Sequence, residues 1–173
     1  YVANFANGKG HIQLIRAFEM ILEDTPNARL VFAGRGEIAE VNDAAAKFPS
    51  GKIIFAGWQS NIASFLNALD IFVQPSLSEA FSQVIMEALG VGLPVLATNV
   101  GGASEVIMSG ENGVLIEPND VSAIADEVIR LSRDPELRKR LGESGRRTVT
   151  ENFTAEQMVE RQVELYKSWL AKR

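Results

Sequence analysis

The sequence contains no cysteine and only one histidine, and these two scarcities exclude several kinds of site. Disulfide bridges and thiolate metal sites are impossible without cysteine, and a single histidine cannot supply the usual ligands of a structural zinc site. We therefore expect no metal. The absence of cysteine also fits a reducing compartment, so we expect a cytoplasmic protein.

The sequence also lacks an excess of basic residues over acidic ones. The chain has 17 Lys and Arg against 22 Asp and Glu, a net charge of −5, which argues against a nucleic-acid partner because such binding needs a dense basic surface. No apolar run approaches the roughly twenty residues that a helix needs to cross a bilayer. The chain opens on a strand-like segment with neither an initiator methionine nor a signal peptide, and we interpret it as part of a longer protein.

Short apolar runs alternate with amphipathic stretches as far as residue 116. This alternation indicates right-handed crossovers and a parallel, doubly wound sheet. The runs at 30–33 and 71–73 show little polar alternation, which is typical of strands covered on both faces. Six strands are predicted, at residues 1–5, 28–33, 52–56, 70–74, 94–98 and 113–116. Helices are predicted between them, at 11–23, 38–48, 61–68, 82–91 and 103–108.

After residue 116 the pattern becomes helical throughout. Asp120, Asp134 and Thr154 are placed to cap three helices, which run over 121–132, over 135–148 and from 155 toward Leu170. No repeat or linker interrupts the chain, so we expect one Rossmann-like α/β domain over residues 1–173, with a helical C-terminal segment. Its six strands would most simply take the order 3-2-1-4-5-6, with ligands bound where the order reverses between the first and fourth strands.

The loop after the first predicted strand carries Lys9 between two glycines. A lysine at a helix N-terminus is opposed by the helix dipole, so this position favours an anionic ligand such as phosphate. The dinucleotide fingerprint fails because Gln13 stands where its third glycine belongs and no acid ends the second strand, which leaves an NAD-dependent dehydrogenase as a minor alternative. We expect His11 and Arg35 to be exposed.

Glu79 and Glu87 follow the apolar run at 71–73. We expect a loop to carry Glu79, and a helix that begins near Ser82 to carry Glu87. That helix N-terminus would offer free N–H groups to a diphosphate, and the carboxylates could accept hydrogen bonds from sugar hydroxyls. An acid beside a helix start is often structural, but Glu87 has apolar neighbours and no cation at i±3 or i±4. Because burying an unpaired carboxylate is costly, we expect Glu87 to bind a ligand.

Several short motifs resemble, in order and spacing, those of the group 1 retaining glycosyltransferases, which have the GT-B fold. Each motif is weak by itself, whereas their common order over nearly the whole chain is specific. The matching motifs are Lys9-Gly10, Gly34-x-Gly36, Glu79-Ala80-Phe81-Ser82, Glu87-Ala88, Gly92-x-Pro94-Val95-x-Ala97-Thr98, Gly101-Gly102 and the helix start at 134–137.

The resemblance implies a role for each matching residue in binding a nucleoside diphosphate sugar. It implies Lys9 and Glu79 as the catalytic residues, with Lys9 on the donor diphosphate and Glu79 beside the donor sugar. Glu87 would hold the ribose, and Trp58 either lies near the base or packs at a strand end. The remaining donor-binding residues would be Asn4, Gly34, Gly36 and, through backbone N–H groups, Phe81, Ser82 and Gln83. The two glycines could equally serve only the turn.

Three residues depart from the family pattern. Asn4 stands where the family often has an arginine that helps to bind the diphosphate. Without that arginine, Lys9 would have to supply the positive charge that binds the diphosphate. Ala80 and Ser82 replace two glycines, and a Cβ there costs backbone freedom wherever φ would be positive. Ser82 could compensate as an N-cap or as a hydrogen-bond donor to phosphate.

The resemblance implies the donor-binding domain of a retaining glycosyltransferase that transfers a sugar from a nucleoside diphosphate sugar to an acceptor hydroxyl, in polysaccharide or glycolipid synthesis. It implies no metal or cofactor, and an acceptor-binding N-terminal domain in the same full-length protein. The chain alone would then be inactive, and the inner face of a membrane would be contacted only through that other half. A non-catalytic nucleotide-sugar-binding domain and a nucleotide-sugar epimerase of the same two-domain shape stay open as alternatives.

Overall fold

The computed structural model describes residues 1–171 and has the α/β architecture that the sequence predicts. All strand pairs are parallel: β1 pairs with β2, and β4 lies between β3 and β5. The strands are β1 at Leu30–Ala33, β2 at Ile53–Gly57, β3 at Phe72–Gln74, β4 at Val95–Thr98 and β5 at Val114–Ile116. In the numbering of the predicted strands, the two sheets have the orders 3-2 and 4-5-6, as expected.

The first predicted strand, at residues 1–5, forms only an isolated bridge between Val2 and Ala33, so the continuous six-stranded sheet is not seen in the described residues. The segment nevertheless runs beside β1, because the Ala3 N–H donates to the Ala33 carbonyl at 2.9 Å. At the next step one ladder bond is replaced, because the Arg35 N–H donates to the side-chain oxygen of Asn4 at 3.1 Å, and the Phe5 N–H then donates to the Arg35 carbonyl at 2.7 Å. A side chain thus takes the place that a backbone carbonyl has in a regular strand.

The helices begin close to the residues predicted to cap them. The side chains of Asp120, Asp134 and Thr154 accept hydrogen bonds from the backbone of the first turns of their helices, and Thr154 forms a full capping box with Gln157. The helices are α1 at His11–Asp24, α2 at Ala39–Ala45, α3 at Ile62–Leu66, α4 at Gln83–Gly90, α5 at Ala103–Val106, α6 at Val121–Arg133, α7 at Pro135–Asn152 and α8 at Ala155–Leu170.

The core consists of two apolar clusters separated by the strands. Along β4, Leu96 belongs to the cluster that contains the buried faces of α1 and α6, whereas Val95 and Ala97 belong to the cluster under α4. Because successive strand residues point to opposite faces, helices cover both sides of the sheet. This arrangement leaves the loops at the carboxyl ends of the strands as the open edge of the domain.

Helix α8 differs from the other long helices because none of its residues is buried. Its apolar side chains recur at intervals of three to four residues, which places most of them along one stripe. The exposed apolar residues of this stripe and its flanks are Met158, Val159, Val163, Leu165, Tyr166, Trp169 and Leu170. Within residues 1–171, no helix combines the length and the apolar character required to cross a membrane.

Candidate functional site

The loop before α1 and the loop before α4 are fixed against each other. The Leu77 N–H donates to the Gly8 carbonyl at 2.7 Å, and Gly10 lies directly against Pro75. A Cβ on Gly10 would be 1.9 Å from the Pro75 carbonyl oxygen, and its φ of +76° also requires glycine. This close approach brings Lys9 to the loop that carries Glu79.

Lys9 and Glu79 form an ion pair at this junction, with 2.8 Å between Nζ and Oε1. The same carboxylate oxygen accepts hydrogen bonds from the Ser76 hydroxyl at 2.9 Å and from the Gln74 side-chain amide at 3.2 Å. Both of these donors are buried, so they hold the carboxylate from the interior of the domain. The side chain of Lys9 is partly exposed. The structure therefore brings together the two residues implied as catalytic, and their roles stay a prediction.

Ser82 occupies the N-cap position of α4, but its side chain does not cap the helix. Its hydroxyl instead donates to the side-chain carbonyl of Gln74 at 2.9 Å. The expectation that Ser82 acts as a side-chain N-cap is therefore wrong: its side chain is held by the buried Gln74, and its oxygen accepts no hydrogen bond from the backbone N–H groups of α4. Sequence reasoning missed Gln74, although a polar residue at the end of the buried run 71–73 was a usable signal.

Glu87 lies on the exposed side of α4, one turn after Gln83, which is also exposed. Ile85, Ala88 and Leu89 form the buried side of the helix. The expectation of a desolvated carboxylate was therefore wrong in degree: partial burial does raise the pKa of Glu87, but the group reaches solvent. It has no hydrogen-bonding or ionic partner among residues 1–171, so it is free to accept hydrogen bonds from a ligand.

Asn4, Gly34 and Gly36 lie where the segment 1–5 meets the turn after β1. Asn4 is exposed, and its side-chain oxygen receives the Arg35 N–H. A Cβ on Gly34 would be 1.9 Å from the Ala3 carbonyl oxygen, and φ is +152° there. The geometry explains Gly34 by close packing of the two loops, and contact of either glycine with a ligand stays a prediction.

Trp58 is 58% exposed, which contradicts the interpretation that it packs at a strand end. The Arg35 guanidinium lies 4.7 Å from the centre of its ring, in a cation–π contact. Phe81 is also exposed, at the mouth of the loop before α4, and its ring edge lies over Gly102. Both aromatic rings therefore offer faces or edges to solvent at the open edge of the domain.

His11 is 3% exposed, so the expectation of an exposed histidine is wrong. Its ring stacks on Phe5 with 4.5 Å between ring centres, and Tyr1 and Phe32 complete the aromatic surroundings. Neither ring nitrogen has a hydrogen-bond partner in the described part of the chain, and burial lowers the pKa of His11 to about 4. The missed signal was the spacing of His11 three and four residues before Leu14 and Ile15, on the apolar face of α1.

The site thus combines one lysine, one fixed carboxylate and the N-terminus of α4, with an unpaired carboxylate one turn along that helix. A helix N-terminus and a cation favour an anion, and carboxylates favour hydroxyl groups. Among residues 1–171, no group of three or more His, Cys, Asp or Glu side chains is arranged to hold a metal ion. The arrangement suits a ligand that has both phosphate and hydroxyl groups.

Comparison with known proteins identifies the family of the chain. The family model described as "Glycosyl transferases group 1" matches residues 1–148. N-acetyl-alpha-D-glucosaminyl L-malate synthase of Bacillus anthracis is 32% identical over 168 residues, which are 96% of this chain and 44% of that protein. The chain spans about half the length of the curated relatives that it matches.

Solved structures show the same fold. A glycosyltransferase from Rickettsia africae ESF-5 has a TM-score of 0.87 and 29% identity, and the match covers 97% of this chain and 46% of that one. Anabaena HepE, solved in complex with UDP-glucose, has a TM-score of 0.88 and 22% identity, over 96% of this chain and 48% of HepE. These likenesses, together with the family model that covers most of the sequence, show that the chain belongs to the group 1 glycosyltransferases.

Proposed function

We propose that the chain is the donor-binding domain of a retaining glycosyltransferase, which transfers a sugar from a nucleoside diphosphate sugar to an acceptor hydroxyl. The observation that carries this proposal is the Lys9–Glu79 pair, 2.8 Å apart, in the loops beside the N-terminus of α4. The relatives named above support sugar transfer at the level of the family. Polysaccharide or glycolipid synthesis is the proposed context.

In this proposal the negative charge that develops on the leaving diphosphate is stabilised by Lys9 and by the free N–H groups at the start of α4. These groups are already in place before the reaction, so little reorganisation is needed when charge develops. Glu79 lies beside the donor sugar, held by Ser76 and Gln74. No metal is required, because the cation and the helix dipole supply the positive potential.

The nucleoside would lie toward Glu87 and Trp58. The unpaired, exposed carboxylate of Glu87 can accept hydrogen bonds from two neighbouring ribose hydroxyls. The exposed ring of Trp58, with Arg35 already stacked on it, offers an aromatic surface near the base. A nucleoside, a diphosphate and a sugar would then follow one another along the open edge of the domain.

We place the acceptor site in an N-terminal domain of the full-length protein. The chain covers 44% of the length of the Bacillus anthracis relative, so that relative has as much chain again outside the matched region. The apolar stripe of α8 is uncovered within residues 1–171, and a neighbouring domain would bury it. The donor-binding half would then present its site across the space between two domains.

A ligand screen tests the proposal. The melting temperature of the chain is measured with UDP, GDP and ADP, with their common sugar derivatives, and with the bare nucleosides. A ligand at a hundred times its dissociation constant stabilises the folded state by about 2.7 kcal/mol, which is a shift of a few degrees. We expect one nucleoside diphosphate and its sugars to give this shift. No shift with any of them, confirmed by calorimetry, would refute the proposal.

A further inference from the structure

Ser82, Gln74 and Glu79 form a chain of hydrogen bonds behind the candidate site. Each group in it can donate or accept in only one way, so the order of donors and acceptors is fixed. Ser82 Oγ is 2.9 Å from Gln74 Oε1, and Gln74 Nε2 is 3.2 Å from Glu79 Oε1. Gln74 is 3% exposed, so its amide cannot turn to water for other partners. Ser82 is only half-buried and stands at the start of α4, beside the open edge of the domain.

The carboxylate of Glu79 sets the direction of this chain. An ionised carboxylate only accepts hydrogen bonds, so the Gln74 end that faces it must be the NH₂ group. The amide carbonyl must then face Ser82 and can only accept, so the Ser82 hydroxyl must donate its proton inward. A flipped amide would set its carbonyl against the carboxylate and leave both acceptors without a proton.

The Ser82 hydroxyl has one proton, and Gln74 already receives it. What remains on the ligand side is the pair of acceptor lone pairs on the oxygen. A phosphate oxygen needs a donor and gains nothing from them, whereas a sugar hydroxyl can donate to them. The expectation that Ser82 donates to phosphate therefore conflicts with the order of donors and acceptors in these hydrogen bonds.

On this basis we propose that Ser82 is a specificity-determining residue that accepts a hydrogen bond from a hydroxyl of the donor sugar, with Gln74 as the residue that fixes this polarity. The inference rests on the proposed function, because it assumes a nucleoside diphosphate sugar in the site. It also explains how a serine is useful at a position where the resembling family has a glycine, which has no side chain to offer.

Calorimetry of two variants with matched ligands tests this assignment, with UDP, UDP-glucose and UDP-N-acetylglucosamine as the probes. We expect Ser82→Ala to weaken binding of a UDP-sugar about three- to tenfold, the usual worth of one neutral hydrogen bond, and to leave UDP binding unchanged. Ser78→Ala, in the exposed part of the same loop, is the matched control and should change neither. Unliganded melting temperatures show whether each variant is folded.

The Gln74→Met variant tests whether Gln74 fixes the direction of the Ser82 proton. Methionine keeps the approximate shape but removes the internal acceptor, so the Ser82 proton becomes available to phosphate. In that background we expect Ser82→Ala to weaken UDP binding as well. If Ser82→Ala in the wild-type background weakens UDP and UDP-sugars equally, or weakens neither, the assignment is overturned. If the wild-type chain binds none of UDP, GDP, ADP and their sugars, the proposed function is refuted, and this proposal with it. If it binds GDP or ADP instead of UDP, the same variants are measured with that diphosphate and its sugars.

Discussion

At the scale of single residues, the ion pair between Lys9 and Glu79 puts a cation in the proposed diphosphate site before any ligand binds. In the unliganded chain Lys9 neutralises a carboxylate that Ser76 and Gln74 hold in place. A bound diphosphate would share this lysine with Glu79 and would otherwise meet the negative charge of Glu79 directly. Asn4 offers no charge that could replace it.

We therefore expect Lys9→Ala to weaken binding of the nucleoside diphosphate found in the ligand screen about ten- to a hundredfold, since a charged hydrogen bond is worth roughly 1.5–3 kcal/mol. Binding of the matching nucleoside should change little, because it carries no phosphate. Calorimetric titration with both ligands measures the difference, and Lys139→Ala, an exposed lysine on α7, is the control. Equal losses for both ligands would show that Lys9 does not contact phosphate.

Glu87→Gln is expected to weaken binding of the nucleoside part. Glutamine keeps the shape and one acceptor but loses the charge, and the expected cost in affinity is on the order of 1–3 kcal/mol. Because Glu87 is exposed and has no partner among the described residues, the unliganded melting temperature should hardly move. Calorimetric titration of both proteins with the nucleoside diphosphate found in the ligand screen, beside unliganded melting curves, decides the matter. Normal binding together with a clearly lower melting temperature would mean a structural acid.

His11 predicts a dependence of stability on pH. Its folded-state pKa, about 4, is below the ordinary value of 6.5, so the unfolded chain binds this proton more readily. Its contribution to stability is therefore complete above about pH 6.5 and is lost as the pH falls toward 4. His11→Phe should reduce the fall in melting temperature between about pH 7.5 and about pH 5. An unchanged fall would show that carboxylates alone cause it.

At the scale of elements, Asn112 joins the loop before β5 to α7. It is fully buried: its side-chain oxygen accepts from the Met108 N–H at 2.7 Å, and its NH₂ group donates to Val106 and Thr148, each at 3.0 Å. One amide thus satisfies backbone groups at the end of α5 and anchors a helix that packs on α4. Because α4 carries Glu87, Asn112 supports the site from a distance.

We expect Asn112→Ala to lower the free energy of unfolding by about 1–3 kcal/mol, since it leaves buried polar groups without partners. Denaturant unfolding of the unliganded chain measures this loss. Asn67→Ala is the control, because Asn67 is exposed and its side chain bonds only within its own helical turn. A loss no greater than that of the control would mean that water replaces the missing amide.

The elements show which parts of the fold the sequence predicts and which it does not. The starts of α6, α7 and α8 were predictable because one capping residue decides each of them locally. The interruption of the first strand was not, because it depends on Asn4 meeting Arg35, which is distant in sequence. The same limit applies to the site: motif order placed Lys9 and Glu79, but the inward proton of Ser82 depends on a buried contact with Gln74.

At the scale of the whole molecule, the proposed donor site lies in a chain that spans about half the length of its curated relatives, and we propose that the acceptor site lies in the other half. We therefore predict that the purified 173-residue chain binds a nucleoside diphosphate sugar and transfers no sugar. Full-length protein, assayed with the same donor and a set of acceptor glycans and lipids, is the comparison. Robust transfer by the chain alone would contradict the prediction, and release of a changed nucleotide sugar without any acceptor would favour an epimerase.

The boundary between the two sheets, between the segment 1–5 and β3, which we call the seam, affects how the domain fluctuates. No backbone ladder joins the segment 1–5 to β3 in the described chain, so side-chain packing, the Leu77–Gly8 hydrogen bond and the Lys9–Glu79 pair hold the seam at its open edge. The contacts that build the proposed anion site therefore also hold the two sheets together at this edge. A ligand that tightens them should slow amide hydrogen exchange on both sides of the seam at once, so that occupancy and stiffness rise together.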